Sequence, residues 1–343
     1  MERKSTGYLT WIGLIACVAG LLAVAIFLRP SSDRSAARLS NSDPTEAVTT
    51  SPSLTPVKLQ LNWFAEPEHG GFYAALADEL YQQAGLAVEI IPGGLTTIGP
   101  KELAMGRVDF IIANADDLLL SRVAGVDLVA VAAPITHSPR CLCVREDASV
   151  KSFDDLSGMT LLLDRSQAFV EFLQRKGHLE GCTIQPYSGS VAPLAQGTSY
   201  GCQGYSFSEP IVAQEVSLSL RTLMLSDIGF DPYCSLLITT RETLRSRPDV
   251  VRRMVTASIA GWQRYIDDAG SANALIVQAN RQISPASLLK GAAAIEPLVE
   301  SPSSATYGQM TEKRWQTLIE QMEAIEFLPA GEIAADDCFE NLQ

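Results

Sequence analysis

The sequence predicts an α/β protein of two lobes, preceded by an N-terminal transmembrane segment. Three observations predict it. From Val57 onward, strand-like and helix-like segments alternate, which implies a mostly parallel sheet covered by helices on both faces. The alternation runs through two cycles, and a chain of 343 residues has the length for two folded lobes with additions. The first 30 residues contain an uncharged, nearly continuous apolar run unlike anything later in the chain.

That run extends from Tyr8 to Leu28, 21 residues that span a hydrocarbon core of about 30 Å as a helix. Arg3 and Lys4 precede it, and by the positive-inside rule they keep the N-terminus in the cytoplasm and send the rest out. The block Leu14-Ile15-Ala16-Cys17 also fits a lipoprotein cleavage box, and a cleaved signal is a third possibility. Continuation of the run to Leu28 favours an uncleaved anchor over residues 1–30. Residues 31–56 are rich in Ser, Thr, Pro and Asn, bury too little to offset their ordering entropy, and read as a flexible tether.

The folded region is expected to start near Val57. Val57 to Trp63 alternates as a strand, and Gly71 to Ala84 has the periodicity of a helix closed by Gly85. Leu86 to Ile91 is a short apolar strand followed by the loop Pro92-Gly93-Gly94. A short helix at Pro100–Met105, a strand at Val108–Ala113, a helix at Asp116–Ala124 and a strand at Leu128–Ala133 complete the first cycle. The second cycle has extended pieces at Cys141–Arg145, Thr160–Leu163, Thr183–Pro186, Gly201–Ser206 and Arg221–Leu225. Its helix at Ser166–Lys176 has Ser166 as the expected N-cap. Ser235 to Thr239 reads as the strand returning to the first lobe. The expected division is therefore residues 57–140 and 235–343 for lobe I, and 141–234 for lobe II. Helices follow from Pro248, where a missing N–H is harmless, and at Ser271–Asn280, Ser284–Leu298 and Thr311–Phe327.

Composition narrows the function. A net charge of −13, with no long Lys/Arg stripe, argues against nucleic acid as a partner. The only histidines are His69, His137 and His178 and no CxxC pair occurs, so neither a zinc site nor another cofactor is expected. Six cysteines lie outside the apolar run, and an exported chain could pair them. The sequence leaves the pairing open, although Cys141 with Cys143 on one strand would be strained.

The block Leu61-Asn62-Trp63-Phe64-Ala65-Glu66-Pro67-Glu68-His69-Gly70-Gly71-Phe72-Tyr73-Ala74-Ala75 resembles the opening of the thiamine-pyrimidine-precursor-binding family. That family joins ABC-transporter solute-binding proteins with fungal pyrimidine synthases. Gly85-Leu86 with Val88-Glu89-Ile90 and Pro92-Gly93-Gly94 continues the likeness. Val150 to Gly158 is similar to the segment opening the second lobe of nitrate, sulfonate and taurine binders. Tyr205 to Pro210, Arg247 to Val251, Gly261-Trp262 and Trp315 match later blocks. The resemblance implies a type II periplasmic-binding-protein-like fold, with ligand in a hinge cleft at the carboxyl ends of the strands and closure about the hinge. It also implies an extracytoplasmic import receptor that delivers a thiamine-related pyrimidine to an ABC permease.

On that resemblance, Asn62 and Trp63 end the first strand at the cleft, Trp63 stacking on a flat ring and Asn62 bonding its edge. Without it, Trp63 reads as a core residue. His69, as a neutral imidazole, is expected to bond an aminopyrimidine. Of the adjacent Phe72 and Tyr73 one should be core, and Tyr73 is the expected cleft residue. Asn114 and Asp116 follow the third strand, where their acidic neighbourhood also reads as helix-start charge. Ser166 begins a helix whose free N–H groups suit an anion, and Arg165-Ser166-Gln167 stands where the family often has glycines. Tyr205 and Glu209 match a position where a carboxylate holds ligand, and Tyr233 lies beside the returning strand. The alternative ligand is an anion such as taurine, an alkanesulfonate or nitrate. Enzyme activity is not expected, since the clustered cysteines of the fungal synthases are missing and no lysine lies between Lys58 and Lys101.

Overall fold

The computed structural model describes residues 53–300 and 302–342. The expected membrane anchor, Cys17 and nearly all of the tether lie outside the described residues. Among the described residues no helix is long and apolar enough to cross a membrane.

Among the described residues, ten strands form two five-stranded sheets. The first orders β2 (Leu86–Ile91), β1 (Thr55–Gln60), β3 (Phe110–Ala113), β10 (Leu236–Thr240) and β4 (Leu128–Ala132). The second orders β7 (Thr183–Gln185), β6 (Thr160–Leu162), β8 (Tyr200–Tyr205), β5 (Arg140–Arg145) and β9 (Leu220–Met224). The chain is ordered two residues earlier than expected, because Thr55 N–H bonds Gly85 O at 2.9 Å and β1 pairs with β2 in parallel from that residue on. β3 and β4 are buried along their whole lengths and read as continuous apolar runs, whereas β2 and β7, at the sheet edges, are partly exposed.

Neither sheet is wholly parallel. In each, one strand runs antiparallel to both of its neighbours: β10 between β3 and β4, and β5 between β8 and β9. Both reversed strands are the ones reached by a crossing between the sheets. The two crossings pair with each other through an antiparallel bridge between Ile135 and Cys234. The hinge is thus a two-stranded connection feeding one reversed strand into each sheet.

Two expected helices change at their ends. The first runs from Gly70 to Ala77 and stops, because Glu79 adopts a left-handed conformation (φ 57°) before one further turn at Leu80–Gln83. The second begins at Ala168 with Gln167 at the N-cap position. Ser166 does not cap it, because its backbone N–H and its hydroxyl both donate to Asp164 Oδ1, at 3.0 and 2.7 Å.

The Gly70–Ala77 helix lies against the helix Pro248–Asp267, and glycines set how closely the two approach. A Cβ at Gly71 would lie 2.1 Å from Trp262 Cγ, and one at Gly261 would lie 2.2 Å from Gly71 O. Trp262 is fully buried against Phe72 and Tyr265 and has nowhere to move. Gly71→Ala therefore overpacks this contact and should cost about 1–3 kcal/mol, read as a lower urea midpoint at unchanged slope.

Candidate functional site

The strand ends explain where a cleft forms. β1, β2 and β3 end toward the second sheet, and β6, β7, β8 and β9 end toward the first. The reversed strands β5 and β10 begin at the same place. The segments after or before these ends enclose a cavity of about 880 Å³.

Trp63 lies half-buried on its wall, edge-to-face with Phe64 at 5.5 Å. The chain at Gly189, from the second lobe, closes against the ring: a Cβ there would come within 3.3 Å of Trp63 Cζ2. Asn62 lines the cavity and donates from Nδ2 to Glu68 Oε1 at 2.8 Å. Ser235 Oγ donates to the same oxygen at 2.7 Å. With its amide so oriented, Asn62 presents Oδ1 to His69 Nε2 at 2.8 Å, so Nε2 carries the proton and Nδ1 accepts the Glu66 N–H at 3.3 Å. His69 is neutral in this arrangement, and burial lowers its pKa to about 3. It stands behind Asn62 and does not line the cavity.

Asn114 occupies the N-cap position of the helix Ala115–Val123, and its backbone N–H donates to Asp117 Oδ2 at 3.3 Å. Its Oδ1 accepts the Tyr205 hydroxyl at 3.2 Å and the Ser235 N–H at 3.1 Å, which ties lobe II and the hinge to one atom of lobe I. Ser235 holds a left-handed backbone (φ 55°) while making both of its bonds. A second tie between the lobes is Ser208 Oγ donating to Glu66 Oε2 at 2.8 Å. Glu209 lines the cavity and accepts the Tyr187 hydroxyl at 2.7 Å and the Tyr205 N–H at 2.6 Å. Gly204 makes room for it, since a Cβ there would lie 2.5 Å from Glu209 Oε2.

The cavity is acidic. Glu66, Glu68, Asp117 and Glu209 all line it. Burial raises the Glu66 carboxyl well above the usual range, and the charges of Glu68 and Glu209 push it further. Burial likewise raises Glu68 against the donors Ser235 and Asn62, and raises Glu209 against Tyr187 and Tyr205. Asp117 is pushed up to about 7 by burial and by Asp116. The cations on the wall do not balance this. Arg140 is committed to Asp116 in a bidentate pair at 2.7 and 3.1 Å, with a longer bond to Gln167 and Phe169 under its guanidinium. Arg165 lies exposed at the rim. Among the described residues no lysine lines the cavity.

The structure thus brings Asn62, Trp63, Asn114, Ser166, Tyr205 and Glu209 to the cavity wall, and leaves four expected residues off it. His69 supports Asn62 from behind. Tyr73 is core, because the Gly70–Ala77 helix is apolar all round and gives no amphipathic sign of which face meets the cleft. Asp116 is consumed by Arg140. Tyr233 anchors the return crossing to the C-terminal helix, its hydroxyl accepting the Thr311 N–H at 3.0 Å and its ring lying 4.2 Å beneath the Arg314 guanidinium. Asp117, beside the expected Asp116, does line the wall, and the wall residues that sequence reasoning missed include Glu66, Glu68, Arg140 and Tyr187. Glu66 and Glu68 flank Pro67 inside the Leu61–Ala75 block, which was the available signal for both.

Known proteins resemble this chain at two levels. The alkanesulfonate-binding protein SsuA of Xanthomonas axonopodis pv. citri, bound to MOPS, superposes with TM-score 0.63 at 17% identity over 84% of this chain and 99% of its own. The periplasmic nitrate-binding protein NrtA of Synechocystis PCC 6803 does so with TM-score 0.62 at 9% identity over 84% and 87%. At such identities the likeness is one of fold, the two-lobed α/β periplasmic-binding-protein fold. A Haemophilus influenzae protein, named provisionally for thiamine biosynthesis, is 28% identical over 102 residues, 30% of this chain and 32% of that relative. The chain thus spans about a third of that relative's length. The model of the family described as "NMT1/THI5 like" matches residues 66–272, more than half of the chain. This chain belongs to the NMT1/THI5-like family.

Proposed function

We propose that this chain is the extracytoplasmic solute-binding component of an ABC importer, and that it takes a thiamine-related pyrimidine precursor into the cleft by hinge closure. The run Tyr8–Leu28 would hold it to the membrane beside its permease, with residues 57–140 and 235–343 as one lobe and 141–234 as the other. The observation that carries this reading is the composition of the cleft wall: an aromatic ring, Trp63, beside a cluster of carboxylates, with Arg140 paired to Asp116 and Arg165 exposed at the rim. An aminopyrimidine offers a flat face for Trp63 and N–H donors for the carboxylates, with Glu209, Glu68 and Asn62 as the groups to meet them. The anion reading is disfavoured by the same wall, since Arg140 is spent on Asp116. The chain acts by binding, without catalysis.

The test is a calorimetric and thermal-shift screen of the full chain in mild detergent against 4-amino-5-hydroxymethyl-2-methylpyrimidine, its formylamino analogue, taurine, an alkanesulfonate and nitrate. The pyrimidines should raise the melting temperature by mass action. Trp63→Ala should weaken their binding about 10–100-fold, as loss of one ring stack implies. Selective binding of nitrate or a sulfonate would overturn the reading.

A further inference from the structure

Three cysteines of lobe II meet under the cleft wall. Cys141 and Cys143 are alternate residues of β5 and face the same side, their sulfurs 3.7 Å apart. Cys202 of β8 is the register partner of Cys143 in the antiparallel pairing of the two strands. Directly opposed residues of such a pair have Cα atoms about 4.5–5.5 Å apart, inside the range of about 4.4–6.8 Å that a disulfide spans. Both residues are fully buried. Cys141 opposes Gly204 and donates to its carbonyl at 3.4 Å, so no thiol faces it across the ladder. Cys182 bonds backbone carbonyls elsewhere, and Cys234 and Cys338 are buried among other partners.

We propose that Cys143 and Cys202 form a structural disulfide when the chain folds in an oxidising compartment, and that Cys141 remains a thiol on the cleft wall. The oxidant is a disulfide, low-molecular-weight or carried by an exchange catalyst. It takes the two electrons and two protons of the two thiols and leaves as two thiols, while one S–S bond forms between β5 and β8. The reaction occurs as the sheet assembles. In the folded protein the Cys202 thiol is held high by its bond to Cys143 and by burial, and thiolate attack is closed off. The bond closes the chain between residues 143 and 202 and pins together the strands that carry Arg140 and Tyr205 to the cleft. The compartment follows from the export reading above, but the pairing follows from the register alone.

The isolated full chain, reduced and opened in urea, is returned to buffer containing oxidised and reduced glutathione, then alkylated, digested and mapped by mass spectrometry. The expected product links the peptide holding Cys141 and Cys143 to the one holding Cys182 and Cys202. The link should persist in Cys141→Ser and Cys182→Ser and disappear in Cys143→Ser and Cys202→Ser. Cys143→Val and Cys202→Val keep the apolar site filled if the serine variants fail to fold. The oxidised chain should melt about 5 °C or more above the reduced one. A link that survives loss of Cys143 or Cys202 overturns the proposal, as does a chain with native circular dichroism and six alkylated thiols outside the apolar run. Neither result depends on which ligand the cleft takes.

Discussion

Arg140→Met should lower the unfolding free energy by about 3–5 kcal/mol, measured by urea denaturation. The guanidinium and the Asp116 carboxylate are both almost completely buried, and they join the start of β5 in the second sheet to the helix after β3 of the first. Removing the cation leaves Asp116 uncompensated beside Asp117, which burial already disfavours as an anion. The magnitude comes from the stranded charge and not from the net contribution of the pair. Replacing both partners, Arg140→Met with Asp116→Leu, should therefore recover most of the loss. A single variant as stable as the parent would mean that Asp116 takes up a proton at no cost, and the ion pair would then have no structural role.

Glu209→Gln should weaken pyrimidine binding by about 10–150-fold, the equivalent of one charge-assisted hydrogen bond of about 1.5–3 kcal/mol, measured by calorimetry at pH 7. The substitution keeps the volume and one acceptor for the Tyr205 N–H, but places an NH₂ where the second oxygen accepts the Tyr187 hydroxyl. Its effect on stability depends on pH, with a definite sign. Burial raises the Glu209 carboxyl above its ordinary value of 4.5, so in the folded protein it keeps a proton that the unfolded chain has already lost. Ionised Glu209 therefore costs stability at pH values above its raised folded value, and that cost disappears below the unfolded value of 4.5. Relative to the parent, Glu209→Gln should gain stability as pH rises toward 8 and gain nothing from this source at pH 4. A variant that binds normally would remove Glu209 from the ligand contacts, whatever its stability curve.

The alternation of strands and helices was legible because its signals are local. β2 follows Gly85, a glycine at φ 74°, and its apolar run ends at Pro92. β3 and β4 are short apolar runs bounded by polar residues. The reversed direction of β5 and β10 was not legible, because direction belongs to the crossings and not to the strand residues. The break at Glu79 was also hidden, since the periodicity of Leu76, Leu80 and Tyr81 continues through it.

Within the cleft, Trp63, Asn62 and Glu209 could be named from motif positions alone. Tyr73 and Tyr233 could not be sorted, because an aromatic residue has the same local signature in a core and on a ligand wall. His69 shows the same ambiguity, and its place behind Asn62 depends on two hydrogen bonds that no spacing reveals.

By itself, the sequence determined the α/β class, the family and the loops that reach the cleft, because these rest on periodicity, glycine and proline punctuation and a motif of adjacent residues. Only the tertiary structure decided the sign of the cleft. Glu66 and Glu68, Asp117 and Glu209 come from three separate segments of the chain. Folding gathers the four carboxylates around one cavity and pairs Arg140 with Asp116, and contacts between distant parts of the chain leave no local trace in the sequence.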